Sequence, residues 1–523
     1  MRYQTKITMK KLLFILISLF SIGTLTAQIT EPELDVLVDR TMKAFDVPGI
    51  AVGIIKDGKL VLGKGYGVAN INTKQKVDAN TLFGIASNSK SFTSAALAIL
   101  VDEGKIKWDD PVKKYLPEFK MYNDYVTQAF TIRDLLTHRS GLGLGAGDLM
   151  IWPDGHNFTS KDIVRNIQYL KPVSGFRTKY DYDNLLYVIA GEVIEKVSGS
   201  SWCDYVETKL MRPIGMNNSA ASWTRLKDTT NTIVPHVPTN GKLEVIPRYT
   251  NHIFDAAAGL YASVNDLSKW LIVQMNDGVY GDNQLLFSKA QHDEMWKPQT
   301  ILPLGNPAPY KTLFKNYGLG WRLEDINGHL QVSHTGGLDG IVTQTLMIPD
   351  LKLGIIVLTN QQNGPAFIAI SNTIKDRYLG LSNPDHVAAL SDERKQRESN
   401  ADKITDDVWA IVEQNIKSKT LKITNKPYLG TYKDNWFGAI SITDKKGKLY
   451  FSSERSSRLK GEIFFVKDQT FAVKWDVRSF HADAFIYFEL DPNGKATHIT
   501  MKPISPMTDF SYDFQDLDFN RVN

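Results

Sequence analysis

Three stretches that alternate apolar and polar residues lie far apart in the chain, and their separation constrains the fold more than any single motif. "GIAVGIIKDGKLVLGKGYGVA", residues 49–69, alternates across a KDGK turn and reads as a β-hairpin. Two more, "YGLGWRLEDINGHLQVSHTGG" at 317–337 and "IVTQTLMIPDLKLGIIVLTNQ" at 341–361, follow only after helical patterns at about 88–103, 184–198 and 265–277. Strands at both ends with helices between predict an α+β fold, an α/β sandwich. One antiparallel sheet is gathered from distant segments and flanked by helices, with a helical region inserted.

At 523 residues the chain exceeds one ordinary domain. Residues 28–384 carry the pattern just described. Residues 385–420, including "SDERKQRESNADKITDDVWAIVEQNIKSK", are heavily charged and read as a helical linker. From 421 to 523, "YLGTYKDNWFGAISITDKKGKLYFSS" and "FIYFELDPNGKATHITMKP" alternate around KKGK and DPNG turns, as an all-β domain does. The charged divide predicts two separately folded cores. Covering a site on the first domain, self-association, and simple stabilisation all stand open as roles for the second.

Residues 1–27 read as an export signal: Arg2, Lys6, Lys10 and Lys11, then an apolar run ending in small residues at Ala27. No cysteine follows it, so neither a lipid anchor nor any membrane anchor is expected after cleavage, and the protein is expected in the periplasm or secreted. Without those four basic residues the two signs of charge balance, which removes any electrostatic reason to expect nucleic acid as a partner. Cys203 is the single cysteine, the ten histidines are scattered, and no H-E-x-x-H occurs. No metal and no cofactor are expected.

The chemistry begins at "SNSK". Three residues apart on a helix, Ser87 and Lys90 share one face. At a helix start the serine lies near free backbone N–H groups and the positive dipole end, which favour an oxyanion. A desolvated amine beside it can take its proton. Alone, the pair also fits a capped helix terminus with the lysine in water. It is accompanied by Tyr182 and Asn184 in "YDN", and by His334, Thr335, Gly336 and Gly337 in "HTGG".

S-x-x-K, Y-x-N and [KH]-T-G in that order resemble the serine β-lactamase and penicillin-recognising DD-peptidase superfamily. The likeness is to the branch with class C β-lactamases, DD-carboxypeptidases, D-aminopeptidases and related esterases. Framing segments agree: "LLTHRSGL", "LMRPIGM", "AAGLYASVNDLSKWL" and "YGLGW". The resemblance implies Ser87 as the nucleophile of an acyl-enzyme, with Lys90 and Tyr182 moving its proton, either one being the base. It implies Asn184 bonding substrate or lysine, and His334 and Thr335 beside the substrate, where a carboxylate often lies. Ser87 and Gly337 would supply the oxyanion N–H groups, with Gly336 and Gly337 allowing close backbone approach. His138 reads as structural. Histidine in the third motif, where class C β-lactamases carry lysine, ranks amide or peptide hydrolysis first, on D-amino-acid-containing peptides. A β-lactamase, a small-acyl esterase, or a sensor that stays acylated are the alternatives. The partner is then a small peptide, amide or ester. Asp183, where serine or alanine is common, changes the polarity next to the site.

Overall fold

The computed structural model describes residues 28–522 apart from 240, 306–309, 383 and 421–422; the expected export signal at 1–27 lies outside the described residues. The first domain is built on an eight-stranded antiparallel sheet. Its strands are β1 (Gly49–Lys56), β2 (Lys59–Gly67), β3 (Thr300–Ile301), β4 (Lys315–Tyr317), β5 (Arg322–Ile326), β6 (His329–Leu338), β7 (Ile341–Ile348) and β8 (Leu353–Thr359). The spatial order is β2-β1-β8-β7-β6-β5-β4-β3. The first hairpin therefore joins the last strand directly, with Ile50 opposite Thr359 and Ile54 opposite Ile355. β8 is buried along its whole length, and its run of β-branched residues suits a strand covered on both faces.

Helices cover the two faces. α1 (Glu31–Phe45) opens with a capping box in which Thr30 and Glu33 satisfy each other's backbone N–H groups. With α5 (Gly364–Leu379) it buries Leu34, Val38, Ile370 and Ile374 against Ile50, Val52 and Val357 of the sheet. On the opposite face lie α2 (Ser89–Asp102), α3 (Leu185–Ser198) and α4 (Val264–Met275). α2 is buried on every side: Lys90, Phe92 and Leu97 are all inaccessible. That explains its small apolar residues, which let α3 and neighbouring segments pack around it. All three helical patterns read from the sequence are present; α1 and α5 add to them.

The charged stretch forms one long helix, α6 (His386–Lys417), started by Asp385 accepting the N–H of Ala388. It does not run free through solvent. Part of its apolar side is used, Val412 packing with Val466, Ala472 and Ile504 of the second domain, while Ile404, Ile411 and Ile416 stay exposed. That domain is a closed eight-stranded barrel. Its strands are β9 (Gly430–Asp434), β10 (Gly438–Lys445), β11 (Lys448–Ser453), β12 (Lys460–Lys467), β13 (Thr470–Trp475), β14 (Ala484–Leu490), β15 (Ala496–Pro503) and β16 (Asp518–Val522). Closure pairs the first strand with the last, Thr431 opposite Val522, so no exposed edge is left.

The expectation of two separate cores does not hold. One continuous apolar cluster runs from α2 and α3 through Trp152 and Phe158 into Phe437, Trp475 and Phe514 of the barrel. Phe158 meets Phe437 with ring centres 5.9 Å apart, and Arg455 lies 4.0 Å over the Phe158 ring while pairing with Asp162 at 3.0 Å. Buried Asp513 of the barrel accepts the N–H groups of Gly147 (2.6 Å) and Leu149 (3.1 Å) of the first domain. Alternation marks which barrel residues are apolar, but it does not say that some turn outward onto a neighbour.

A shared core predicts one cooperative unfolding transition for the full chain, read by calorimetry. A chain ending at residue 384 is expected to aggregate because it exposes that core. Asp513→Ala orphans two buried donors and is expected to cost about 1–3 kcal/mol for each. Two separate transitions, or a soluble truncated chain, would contradict the shared core.

Candidate active site

Ser87 sits in a single 3-10 turn, Ala86–Asn88, that leads into α2. No side chain caps either element, and the Ser89 hydroxyl instead accepts the N–H of Leu260 at 3.1 Å. The capped-terminus alternative for S-x-x-K thus has no support in the hydrogen bonds. Ala86, immediately before the serine, holds φ at 50°, a left-handed conformation that costs an L-residue about 1–3 kcal/mol. It is pressed there by β6. A Cβ on Gly336 would stand 2.2 Å from the Ile85 carbonyl oxygen and 2.9 Å from the Ala86 Cβ, so glycine is needed for strand and turn to touch.

Lys90 is 0% exposed. Its Nζ lies 3.1 Å from Ser87 Oγ, 2.7 Å from Asn184 Oδ1 and 3.1 Å from the carbonyl oxygen of Ala257. Loss of solvation brings its pKa down from 10.5 to about 7, against the opposing pull of Asp148 and Asp183. An amide oxygen and a backbone carbonyl can only accept, so they engage two of the amine hydrogens. In the uncharged amine the lone pair is left facing Ser87, and the serine hydroxyl can donate to it.

Tyr182, also buried, lines the same cavity as Ser87, and burial holds its pKa well above the usual 10. Its ring lies tilted against that of His138, centres 4.2 Å apart, and Lys90 Nζ lies 4.9 Å from its centroid. His138 Nδ1 accepts the N–H of Asp183 at 3.1 Å, so this histidine supports the tyrosine turn from below. Asp183 is fully buried; its carboxylate accepts the Leu185 N–H at the start of α3, and burial pushes its pKa up. Asn184 completes the group. Its Nδ2 donates to Asp148 Oδ2 at 2.7 Å, which orients the amide so that Oδ1 must face Lys90.

Asp148 carries no signal in the sequence, lying in the glycine-rich "GLGLGAGDLM", and only the fold reveals its partner. It is fully buried, and desolvation raises its pKa to about 7.

β5 pairs with only the first half of β6, from Ile326 opposite His329 to Arg322 opposite Ser333. Beyond that point β6 is paired on the β7 side alone among the described strands, so residues 334–338 have one open edge. Thr335 and Gly337 line a cavity of about 420 Å³ together with Ser87, Tyr182 and Asn184. Space beside Gly337 is open, with no atom within 4 Å of a would-be Cβ. Gly336 faces the Ser87 turn, as described.

His334 departs from the expectation that its ring meets substrate. It is 1% exposed and is not among the residues lining the cavity. Nδ1 lies 2.6 Å from the Thr335 carbonyl, which can only accept, so Nδ1 carries the proton and Nε2 accepts from the Tyr317 hydroxyl at 2.9 Å. Burial, then the nearby Arg322 charge, holds its pKa well below 6.5. The cation on the cavity wall is Arg322, whose Nε finds no partner and which makes no ion pair among the described residues. Trp152 and Phe254 of the first domain and Phe480, Met507 and Phe510 of the barrel supply apolar wall. The described residues offer one group spaced for a metal, Asp277, His292 and Asp293. It does not line the cavity, and Lys289 already stands 2.7 Å from Asp293.

The lowered pKa of His334 means that its ring stays neutral as pH falls through 6.5. NMR of ring-labelled histidine should give one imidazole locked as the Nδ1–H tautomer with no titration between about pH 8 and 5.5. A midpoint near 6.5 would contradict the buried arrangement.

Comparison with known proteins gives the family and the fold. The family model described as Beta-lactamase matches residues 34–376, and a second, described as a domain of unknown function (DUF3471), matches 416–521. The unguisins hydrolase ungD' of Aspergillus campestris is 26% identical over 88% of this chain and 86% of its own length. Protein flp of Staphylococcus aureus (strain MW2) is 27% identical over 63% of each chain. Among solved structures, the octameric penicillin-binding protein homologue from Pyrococcus abyssi superposes with a TM-score of 0.61. It covers 92% of this chain and 99% of that one at 24% identity, a likeness of fold. The chain belongs to the beta-lactamase family and is a serine hydrolase.

Proposed function

We propose that this chain hydrolyses an amide bond of a small peptide through an acyl-enzyme on Ser87. The observation that carries this reading is the amine at hydrogen-bond distance from a serine beside an open strand edge. Lys90, increasingly neutral as pH rises through about 7, takes the Ser87 proton as the hydroxyl attacks the carbonyl carbon. Tyr182, kept a neutral phenol by burial, relays that proton to the departing amine rather than acting as the base. Water then attacks the ester carbonyl, Lys90 takes its proton, and that proton returns to Ser87 Oγ as the ester bond breaks and the acid leaves. The N–H groups of Ser87 and Gly337 receive the oxyanion. An extended peptide can add to the free edge at 334–338 as a further strand, a fit that a small ester lacks and that favours amide over ester.

D-amino-acid-containing peptides with a free carboxylate are the substrates proposed. Support comes from Arg322, the sole lysine or arginine among the described residues lining the cavity. A second reading, cleavage at a free amino end, is favoured by Asp339 and Asp509 on the same walls. Peptides ending in D-Ala-D-Ala and the anilide D-Ala-p-nitroanilide distinguish the two. We also propose export, supported by the basic, apolar and small-residue order of residues 1–27. Self-association is proposed by analogy with the octameric neighbour.

Ser87→Ala is expected to lower hydrolysis of the accepted peptide on the order of 10³-fold or more while the fold persists. In the wild type, kcat/KM should rise with pH through a midpoint near 7, because the base must be deprotonated. Arg322→Ala should raise KM for a carboxylate-bearing peptide and leave KM for its amide-capped form unchanged. Wild-type turnover in Ser87→Ala would sink the assignment.

A further inference from the structure

Of the barrel segments that line the cavity, one reaches the residues around the serine. The turn between β15 and β16 brings Phe510 edge-on to Tyr182, ring centres 5.8 Å apart, and lays the Phe510 backbone over Gly145. A Cβ on Gly145 would stand 2.7 Å from the Phe510 carbonyl oxygen, and the Gly145 N–H is itself spent on the Tyr182 carbonyl at 2.7 Å. One residue on, the Ser511 hydroxyl donates to Asp148 Oδ2 at 2.8 Å. That same oxygen accepts from Asn184. Two residues further, Asp513 holds the N–H groups on both sides of Asp148, those of Gly147 and Leu149. A hydrogen-bonded line therefore runs Ser511, Asp148, Asn184, Lys90, Ser87, starting in one domain and ending at the nucleophile of the other.

We propose that the C-terminal barrel supplies a positioning residue to the active site: Ser511 fixes the Asp148 carboxylate against Asn184, and so sets how Lys90 is held toward Ser87. The assignment of Lys90 as base rests on the function proposed above; the line of hydrogen bonds does not. It gives the barrel a part in the chemistry, beyond stabilising its neighbour. Asp148 Oδ1 has no partner among the described residues, so the two contacts at Oδ2 are the hydrogen bonds that, with the nearby Lys90 charge, favour its ionised form.

The direction of the effect follows. A donated hydrogen bond favours the charged carboxylate. Removing the Ser511 hydroxyl raises the proton affinity of Asp148, leaves less negative charge near Lys90, and lowers the proton affinity of the amine. The other groups facing this pair stay in place. Asp183 favours the ammonium and Arg322 opposes it, while Asp509 and Asp513 oppose a second anion at Asp148. His138 and His334 are neutral, and the Tyr182 and Tyr187 rings flank Nζ at 4.9 and 5.2 Å.

The test uses the full chain labelled with 13Cε-lysine, the Lys90 signal being the one missing in Lys90→Met. Its titration midpoint, near 7 in the wild type, should fall by roughly 0.5–1 unit in Ser511→Ala, a shift of the size one hydrogen bond to a charge supports. Asp148→Asn, a change confined to the first domain, should shift it the same way, and Ser511→Thr should restore it. The acid limb of p-nitrophenyl acetate hydrolysis should follow the same midpoints. An unchanged Lys90 midpoint in Ser511→Ala or in Asp148→Asn overturns the proposal, because a purely structural serine could alter stability without moving it. Hydrolysis surviving in Ser87→Ala would instead overturn the function reading and leave the titration result standing.

Discussion

Burial of one amine organises this molecule. Lys90 has no access to water, and three oxygens supplied by three separate segments surround its nitrogen. Such a group is costly to fold around as a cation, and its proton affinity falls until the neutral form is accessible near pH 7. The surroundings follow from that cost. α2 carries small apolar residues so that other helices can shut solvent out. The Tyr182 turn is braced by a buried histidine, and Asn184 is itself held by a buried carboxylate. The mildly strained Ala86 belongs to the same arrangement, since the turn that aims Ser87 at the amine is pressed from behind by β6.

Electrostatically the site is a set of buried opposites held apart by neutral groups. Asn184 stands between Lys90 and Asp148, touching both, so amine and carboxylate interact without meeting. Each has its proton affinity moved toward neutrality by desolvation, and each partly counters the other's shift. Protons lost from such a pair belong to the pair. Arg322 acts from the cavity wall in the opposite sense, adding positive potential near Ser87 that suits a developing oxyanion as well as an anionic ligand.

Much of this was legible in the sequence because it depends on local spacing. Ser87 and Lys90 share a face at i, i+3, and Tyr182 and Asn184 arrive two residues apart at the start of α3; the fold brings all four together. The hairpin patterns survive because alternation is a property of the strand itself. His334 shows the limit. Its motif assigns it to the right strand, but two residues in succession on a strand point to opposite faces, and Thr335 has the cavity face. Asp148 and Ser511 were illegible for a different reason. Each is an ordinary polar residue in a loop, and what matters about them is a contact across 363 positions of chain. The shared core of the two domains was missed on the same ground.

The pairing of β1 with β8 sets an order on folding. The pairing where Ile50 meets Thr359 can be closed only after nearly the whole first domain has been made. During synthesis the opening hairpin has no partner strand, and its apolar faces wait while the helical region assembles. Contacts so distant in sequence slow the search for the native state, since loop entropy is lost before any sheet contact repays it. Once closed, the same strands tie the two ends of the domain at its most buried point. Detaching the opening hairpin then uncovers β8, which is buried along its whole length.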